Sequence, residues 1–437
     1  MDSGQDRYKN KVILAPMVRA GTTPMRLLAL RYGADMVYGE EVIDYRIENA
    51  QRVENQALGT IDFVSDSNDV IFRTASDREK HAVVFQVGTN NAERALKVGR
   101  LVQKDVSGFD INMGCPKAFS ISGGMGAALL SQPDKIQQIL NTCVQGLDIP
   151  VTCKIRVLDQ RASTLELCKL IERTGVSALA IHGRRRDERP RHANRNDEIR
   201  DCARMLSIPV IANGGSANIA TYHDIENFLH DTECSSVMLA RAALNDVRVF
   251  DRHFTTKSRD RSAIIREYLN LCIKYDADFV DTKYVLQRML GDAQHSTPEG
   301  TQTLAAATLT EICAAWRCAG TEMDRRTTKR PQLNTDSNGV NIMHLEIPIK
   351  RLKTQHPRSP KVVLHEWATK NCSKQPVFTT TGKSGDRTFY SIVEVDGKRY
   401  TCSKKHTNKK LAEQAAALVA LHHLNIRDRL TGEWEEL

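Results

Sequence analysis

Short β-rich runs recur through the first 244 residues, with helix-like segments between several of them, and this repeat constrains the possible folds most strongly. The spacing averages roughly 30 residues, the length of one strand followed by one helix. Eight such units in about 230 residues predict an α/β fold of the (β/α)₈ TIM-barrel type. The runs cover residues 12–18, 36–42, 82–88, 109–113, 151–156, 178–183, 210–215 and 237–241.

The predicted strands are apolar along most of their length and become polar near their C-terminal ends. The polar residues at these ends are Gln86, Asn112, Lys154, His182, Asn213 and Arg241. In a TIM barrel the C-terminal ends of the strands meet at one face, where active sites lie. Any one of these residues could be a loop residue without a function, but six at matching places predict a shared site.

An open, doubly wound sheet is the competing architecture for such a repeat. That fold normally carries Gly-x-Gly-x-x-Gly directly after its first strand. Here the first run continues into Pro16-Met17-Val18-Arg19 instead. Gly382-Lys383-Ser384 resembles the end of a phosphate-binding loop, but Val377 stands where the first glycine is required. The sequence therefore favours the closed barrel.

Cys115 lies in Asn112-Met113-Gly114-Cys115-Pro116, where a predicted strand ends. Gly114 and Pro116 do not continue a strand, so the thiol is expected at the edge of the sheet, within reach of a ligand. The alternative is a buried structural cysteine, a common state for this residue type. The 11 cysteines include no Cys-x-x-Cys pair, which argues against a disulfide framework or a metal site and for a reducing compartment.

The rest of the chain divides by pattern into further segments. Helical periodicity appears from residue 259 to 318, with Thr297 predicted to cap a helix that begins at Pro298 and reaches about residue 316. The predicted organisation is a barrel domain at 1–256, a helical domain at 257–320, a linker at 321–348, a basic extension with a small domain at 349–427, and a tail at 428–437. No signal peptide or membrane span is expected.

The C-terminal part combines a distinctive order of elements with clustered positive charge. Helix 360–371, strands 377–381, 387–395 and 398–402, and helix 408–424 give the order α-β-β-β-α, with Asp396-Gly397 as a hairpin turn. The net charge is +9, and most charge runs are merely solvated surface. Cations at the N-terminus of a helix interact unfavourably with the helix dipole. The lysines at the start of the last helix therefore favour a role in phosphate binding. The predicted RNA-binding residues are Lys350, Arg351, Lys353, Arg358, Lys361, Lys404, Lys405, Lys409 and Lys410.

Two resemblances follow from these motifs. Residues 359–424 resemble a double-stranded-RNA-binding domain in their element order and in the segment Lys404 to Ala416. Residues 11–318 resemble the flavin-dependent tRNA-dihydrouridine synthases. The matching stretches are Ala15-Pro16-Met17-Val18, Phe85-Gln86-Val87-Gly88, Asp110 to Pro116, Lys154-Ile155-Arg156, His182-Gly183-Arg184 and Ile211 to Gly215.

The second resemblance implies a reaction and a set of site residues. It implies FMN as cofactor, NADPH or NADH as reductant, and tRNA as substrate, with a D-loop uridine at position 20 as the target. Cys115 would be the general acid that protonates uracil C5, and a thiol with an ordinary pKa of about 8.5 is protonated at neutral pH. Asn112 and Arg184 would contact the substrate. The implied cofactor-binding residues are Pro16, Met17, Val18, Gln86, Lys154, His182, Asn213, Gly214, Gly215, Ala240 and Arg241.

Two other functions stay open on the sequence. One is a small-molecule flavin oxidoreductase of the dihydroorotate dehydrogenase type, and the other is a non-catalytic RNA-binding protein on an inactive barrel. The RNA-binding-like tail argues against the first, and the complete set of polar strand ends argues against the second. Other double-stranded RNAs or RNA-dependent protein partners are compatible with the tail. The expected location is the cytoplasm, with the nucleus as an alternative.

Overall fold

The computed structural model describes residues 4–66, 69–255, 261–318, 334–336, 339–343, 359–382, 388–403, 405–406 and 408–424. The chain forms two compact units, Met1–Ala319 and Gly320–Leu437. Within the described ranges, none of the helices combines the length and the apolar content needed to cross a membrane.

The first unit contains a closed barrel of eight parallel strands, which confirms the predicted fold. Each strand pairs with the next barrel strand along the chain, and the eighth pairs with the first. The third and fourth strands are buried at every position, as expected for strands covered on both faces. The barrel strands are Val12–Leu14, Met36–Ile43, Val83–Gly88, Gly108–Met113, Val151–Arg156, Ala178–His182, Val210–Asn213 and Ser236–Leu239.

Helices between the strands form the outer layer. Asn91 and Thr221 cap two of them by accepting a hydrogen bond from the backbone N–H three residues later. The α-helices of this layer are Thr23–Arg31, Asp44–Ile47, Ser76–Glu79, Ala92–Val102, Ala118–Ser122, Pro133–Gly146, Arg161–Arg173, Asn196–Met205, Tyr222–Thr232 and Arg241–Asn245. Short 3₁₀ helices lie at Asp6–Tyr8, Gly126–Ser131 and Val247–Phe250.

A three-stranded antiparallel sheet between the second and third barrel strands was not predicted from the sequence. Its strands are Gln51–Asn55, Thr60–Val64 and Val70–Thr74. The first of them is mostly exposed and polar, so it lacks the apolar pattern by which a strand is recognised. The sheet is held to the barrel by Phe72, whose ring meets that of Phe85 edge-on with centroids 4.9 Å apart.

The helical part that follows belongs to the same unit as the barrel. Its helices are Ser262–Lys274, Phe279–Leu290, Ala293–Ser296, Pro298–Ala305 and Leu309–Ala315. Thr297 caps the helix at Pro298 as predicted, since its side chain accepts the N–H of Gly300. That helix does not continue to residue 316, however. It ends at Ala305 because Thr308 starts a new helix with a capping box.

In the described residues of the second unit, a five-stranded sheet is covered by two helices. The helices are Pro360–Asn371 and Lys409–His423, and the sheet order is Asn334–Thr335, Val340–Met343, Lys398–Cys402, Phe389–Val395, Val377–Gly382. The predicted α-β-β-β-α order and the hairpin turn are confirmed. The prediction of a linker over residues 321–348 is wrong for Asn334–Thr335 and Val340–Met343, which form strands. Val340 and Met343 are buried, so residues 340–343 add a parallel strand to the domain instead of leading into it.

Candidate active site

The loop that carries Cys115 is shaped by the side chain of Asn112, at the end of the fourth barrel strand. Asn112 Oδ1 accepts the backbone N–H groups of Gly114 at 3.0 Å and Cys115 at 2.9 Å. Asn112 Nδ2 donates to Gln86 Oε1 at 3.0 Å. Asn112 therefore builds the turn that presents the half-buried thiol, and its role as a substrate contact stays a prediction.

A hydrogen-bonded chain continues from this loop into the barrel interior. Gln86 Nε2 donates to Asp110 Oδ2 at 2.8 Å, and Thr152 Oγ1 donates to Asp110 Oδ1 at 2.6 Å. Asp110 is fully buried, and its burial raises the pKa of its carboxyl to about 6, although the hydrogen bonds from Thr152 and Gln86 oppose the rise. The sequence analysis missed Asp110 and Thr152 because they lie inside their strands. A polar side chain in the middle of an otherwise apolar strand is the sequence signal that could have identified each of them.

Positive charge accumulates at the C-terminal ends of the fifth to eighth strands. Burial and the neighbouring charge of Arg156 lower the pKa of Lys154 to about 8, so Lys154 is mostly cationic at pH 7. The pKa of His182 lies well below its ordinary value because of burial and then the charges of Lys154, Arg156, Arg184 and Arg241. The structure thus brings together Lys154, His182 and Arg241 as predicted, and it adds Arg156.

Arg184 was predicted to contact the substrate, but the structure uses its side chain internally. It is 3% exposed, and it donates to the carbonyl of Gly214 at 2.9 Å and to that of His192 at 2.8 Å. Its Nη1 also lies 3.1 Å from Nε2 of His182, which must be the unprotonated acceptor because a guanidinium only donates. Arg184 therefore ties together the loops after the sixth and seventh strands.

The residues predicted to cradle a phosphate lie after the seventh and eighth strands. Asn213 is buried and donates to the carbonyl of Met238 at 2.7 Å, so it joins these two strands. Gly214 has a φ of +116°, and a Cβ there would lie 2.0 Å from Oδ1 of Asn194. The positive φ and the close approach both require glycine. Gly215, Ala240 and Arg241 continue these two loops, and Arg241 begins the helix Arg241–Asn245.

A cavity of about 410 Å³ opens between the loops after the sixth and seventh strands. Arg184, Asn194, Gly214 and Gly215 are among the residues that line it. Pro16 and Met17, in the loop after the first strand, are half-buried, and Val18 is exposed. Among the residues that the structure describes, no group of three His, Cys, Asp or Glu side chains is arranged to hold a metal ion.

Glu41, on the second barrel strand, is a partly buried carboxyl that the sequence pattern did not single out. Burial raises the pKa of its carboxyl, and the neighbouring Cys115 opposes the rise. Burial, followed by the charge of Glu41, raises the pKa of the Cys115 thiol to about 11. The available signal was Glu40-Glu41 inside an otherwise apolar strand. The pairing register with the third strand shifts between Tyr38 and Glu41.

The predicted RNA-binding residues have different surroundings in the second unit. Lys405, Lys409 and Lys410 are exposed at or just before the start of the last helix. Lys361 is not a free cation, because its ammonium pairs with Glu413 at 2.6 Å and lies 4.5 Å from the centre of the Phe378 ring. Its role in RNA binding stays a prediction. Lys350, Arg351, Lys353, Arg358 and Lys404 lie outside the described residues.

Known protein families and proteins are similar to this chain. The family model of dihydrouridine synthase (Dus) matches residues 13–333, and that of the double-stranded RNA binding motif matches residues 360–424. The tRNA-dihydrouridine(20) synthase (NAD(P)+) of Saccharomyces cerevisiae is 37% identical over 300 residues, covering 65% of this chain and 78% of that protein. The protein of the same name from Schizosaccharomyces pombe is 37% identical over 294 residues, which cover 65% of this chain and 60% of that protein. A crystal structure of a tRNA-dihydrouridine(20) synthase dsRBD domain is 36% identical, with a TM-score of 0.19, and covers 21% of this chain and 96% of that one.

Proposed function

The chain belongs to the dihydrouridine synthase family, and we propose that it uses NAD(P)H and FMN to reduce a D-loop uridine of tRNA, at position 20, to dihydrouridine. The uracil 5,6 double bond takes up a hydride at one carbon and a proton at the other. No amino-acid side chain donates hydride, so the reaction needs a redox cofactor. The protein supplies binding, orientation and the proton.

The residues at the barrel mouth fit FMN. The charges of Lys154, Arg156 and Arg241 all act on His182, and an anionic ligand would offset the mutual repulsion of such a cluster. The backbone at Gly214 and Gly215, together with Ala240 and Arg241, would hold the phosphate, as loops after the seventh and eighth strands often do. Pro16, Met17, Val18 and Gln86 would lie along the ring system. The chemistry that FMN supplies when bound is hydride transfer to uracil C6, with electrons from NAD(P)H.

Cys115 supplies the proton. Its thiol gives the proton to C5, and the electrons of the S–H bond stay on sulfur as a thiolate, which takes a proton from solvent before the next cycle. A pKa raised by burial keeps the thiol protonated at neutral pH, which suits an acid and not a nucleophile. The mostly cationic Lys154 stabilises negative charge that builds on the uracil carbonyl oxygens, and His182 acts as a neutral hydrogen-bonding group beside it.

The second unit holds the RNA. Double-stranded-RNA-binding domains recognise the shape and backbone of an RNA helix, and the exposed Lys405, Lys409 and Lys410 provide the charge for phosphate contacts. The target base cannot be reached inside a helix, so it must lie in a loop or be flipped out of its stack. NADPH or NADH as the reductant, and RNA or protein partners other than tRNA, belong to the same proposal.

The position of the Cys115 thiol carries the proposal. Asn112 holds the loop of Cys115 on the same face of the barrel as Lys154 and His182, and the chain belongs to this family. The test is full-length protein, FMN and NADPH with an unmodified tRNA transcript, followed by mass spectrometry of its nucleosides. We expect Cys115→Ala to retain flavin absorbance and NADPH oxidation and to lose dihydrouridine, whereas Cys234→Ala, at another half-buried cysteine, should behave as wild type. Full product yield from Cys115→Ala would refute the role of Cys115 as the general acid.

The same preparation distinguishes the two alternatives. Efficient oxidation of dihydroorotate without action on tRNA would indicate the small-molecule flavin enzyme. A colourless protein that takes up no added FMN but binds tRNA would indicate the non-catalytic RNA-binding protein. Either result would overturn the proposed function.

A further inference from the structure

Two exposed aromatic rings lie at the C-terminal face of the barrel, apart from the residues assigned to the flavin and to the proton. Among the described residues, Tyr45 and Phe119 are the exposed aromatic side chains, at 60% and 49%. Tyr45 comes directly after the second barrel strand, and Phe119 follows the fourth, four residues after Cys115. Single exposed apolar residues are common on protein surfaces, but two rings at the same face point to a ligand.

Hydrogen bonds fasten the loops that carry these rings to one another. The second strand pairs in register with the third, and the third with the fourth, so the three loops leave the barrel side by side. Thr89 Oγ1 donates to Asp44 Oδ2 at 2.6 Å, and Asp44 directly precedes the first ring. Asn90 Nδ2 donates to the carbonyl of Gly123 at 2.7 Å, and the N–H of Gly123 donates to the carbonyl of Phe119 at 3.2 Å. The rings therefore stand on one connected rim.

Each ring is accompanied by a positive charge. Arg46 follows Tyr45, and Lys117 lies two residues before Phe119, and both cationic side chains are exposed. Neither of them forms an ion pair with another residue that the structure describes. Single-stranded nucleic acid is bound by this combination, because aromatic rings stack on bases while cations contact the phosphates. A protein surface could also meet the cations, but bases and phosphates match both kinds of group at once.

A target base that leaves its stack to reach Cys115 deprives its neighbours of a stacking partner. We propose that Tyr45 and Phe119 form a stacking surface for the tRNA bases on either side of the target uridine. Arg46 and Lys117 contact the phosphates of the same strand. The identity of this RNA rests on the proposed function. The rings replace part of the stacking that is lost when the target is flipped out, so they set the affinity for tRNA and leave the chemical step to other residues.

The first test compares binding and turnover by full-length protein with FMN and an unmodified tRNA transcript. Affinity is measured without NADPH, and kcat and KM with it. Tyr45→Ala and Phe119→Ala should each raise Kd and KM for tRNA about tenfold, since they remove one stacking contact. Their kcat should stay within about twofold, as expected when only binding is lost. The matched controls Tyr45→Phe and Phe119→Tyr keep the ring and should behave as wild type, whereas Phe119→Leu keeps an apolar side chain without a ring and should behave as Phe119→Ala.

The second test locates the contact and needs no turnover. A transcript carries 5-iodouridine directly before or directly after the target, and irradiation links this base to an aromatic ring stacked on it. Trypsin releases Tyr45 in the peptide of residues 32–46 and Phe119 in that of residues 118–135. We expect mass spectrometry to find the cross-linked nucleotide on these two peptides, and each cross-link to disappear in the corresponding alanine variant.

Alanine variants that bind and modify tRNA as wild type does, or cross-links on other peptides alone, would overturn the proposal. Equal losses in the alanine and the ring-preserving variants would also overturn it, because the loops and not the rings would then matter. If Phe119→Ala does not fold, Phe119→Leu gives the same decision. A wild-type protein that cross-links through both peptides but forms no dihydrouridine would defeat the proposed function and support the stacking surface, so the two failures are distinguishable.

Discussion

Replacing Asp110 by asparagine should favour the variant over the wild type increasingly as the pH rises from acid to neutral, although it removes a carboxyl from a hydrogen-bonded network. Burial raises the pKa of Asp110 from 3.8 to about 6. The folded protein therefore binds this proton more tightly than the unfolded chain does. The resulting stabilisation is fully present below the unfolded pKa and is lost as the pH rises through the folded pKa of about 6.

The magnitude follows from the shift. A rise of about two units corresponds to about 3 kcal/mol in total, since each unit is 1.36 kcal/mol, and about 2.4 kcal/mol of it falls between pH 4 and pH 7.5. Asp110→Asn does not titrate, and its amide still accepts from Gln86 or Thr152. The difference in the free energy of unfolding between variant and wild type should therefore shift by about 2.4 kcal/mol in favour of the variant over this interval.

The assay is urea unfolding of both proteins at pH 4, 5, 6 and 7.5. Asp105→Asn is the matched control, because Asp105 is also buried but is paired with Arg52 through two hydrogen bonds of 2.7 and 2.8 Å. That change should destabilise the protein at pH 7.5. A difference for Asp110→Asn that stays constant with pH would refute the reasoning that burial governs the titration of Asp110.

Three other predictions concern separate parts of the molecule. Asn112→Ala removes the acceptor of two backbone N–H groups and should lower the free energy of unfolding by about 2–4 kcal/mol in urea, whereas Asn112→Asp keeps the acceptor and should recover most of it. Lys409→Glu with Lys410→Glu should weaken tRNA binding and reduce the slope of log affinity against log salt by about 2; an unchanged slope would contradict phosphate contact. Glu79→Gln breaks the buried pair with Arg26, 2.7 Å apart, and should cost about 3–5 kcal/mol in thermal unfolding; a loss below 1 kcal/mol would contradict this pairing.

The sequence by itself determined the features that depend on local pattern. The eight apolar runs with roughly 30-residue spacing specify the barrel strands, because a strand–helix unit has a nearly constant length. The polar ends of those runs locate the site, since the C-terminal ends of barrel strands meet at one face. Gly114 and Pro116 mark where Cys115 leaves the sheet. The order of elements and the Asp396-Gly397 turn likewise identify the RNA-binding domain.

Only the tertiary structure decided which side chains meet and how they are charged. Residues 340–343 looked like linker but complete a sheet, because their pairing partner lies more than 50 positions away. Arg184 turns inward to two loop carbonyls, and Lys361 pairs with Glu413. Burial and neighbouring charge set the pKa of a group, and neither exists until the chain has folded.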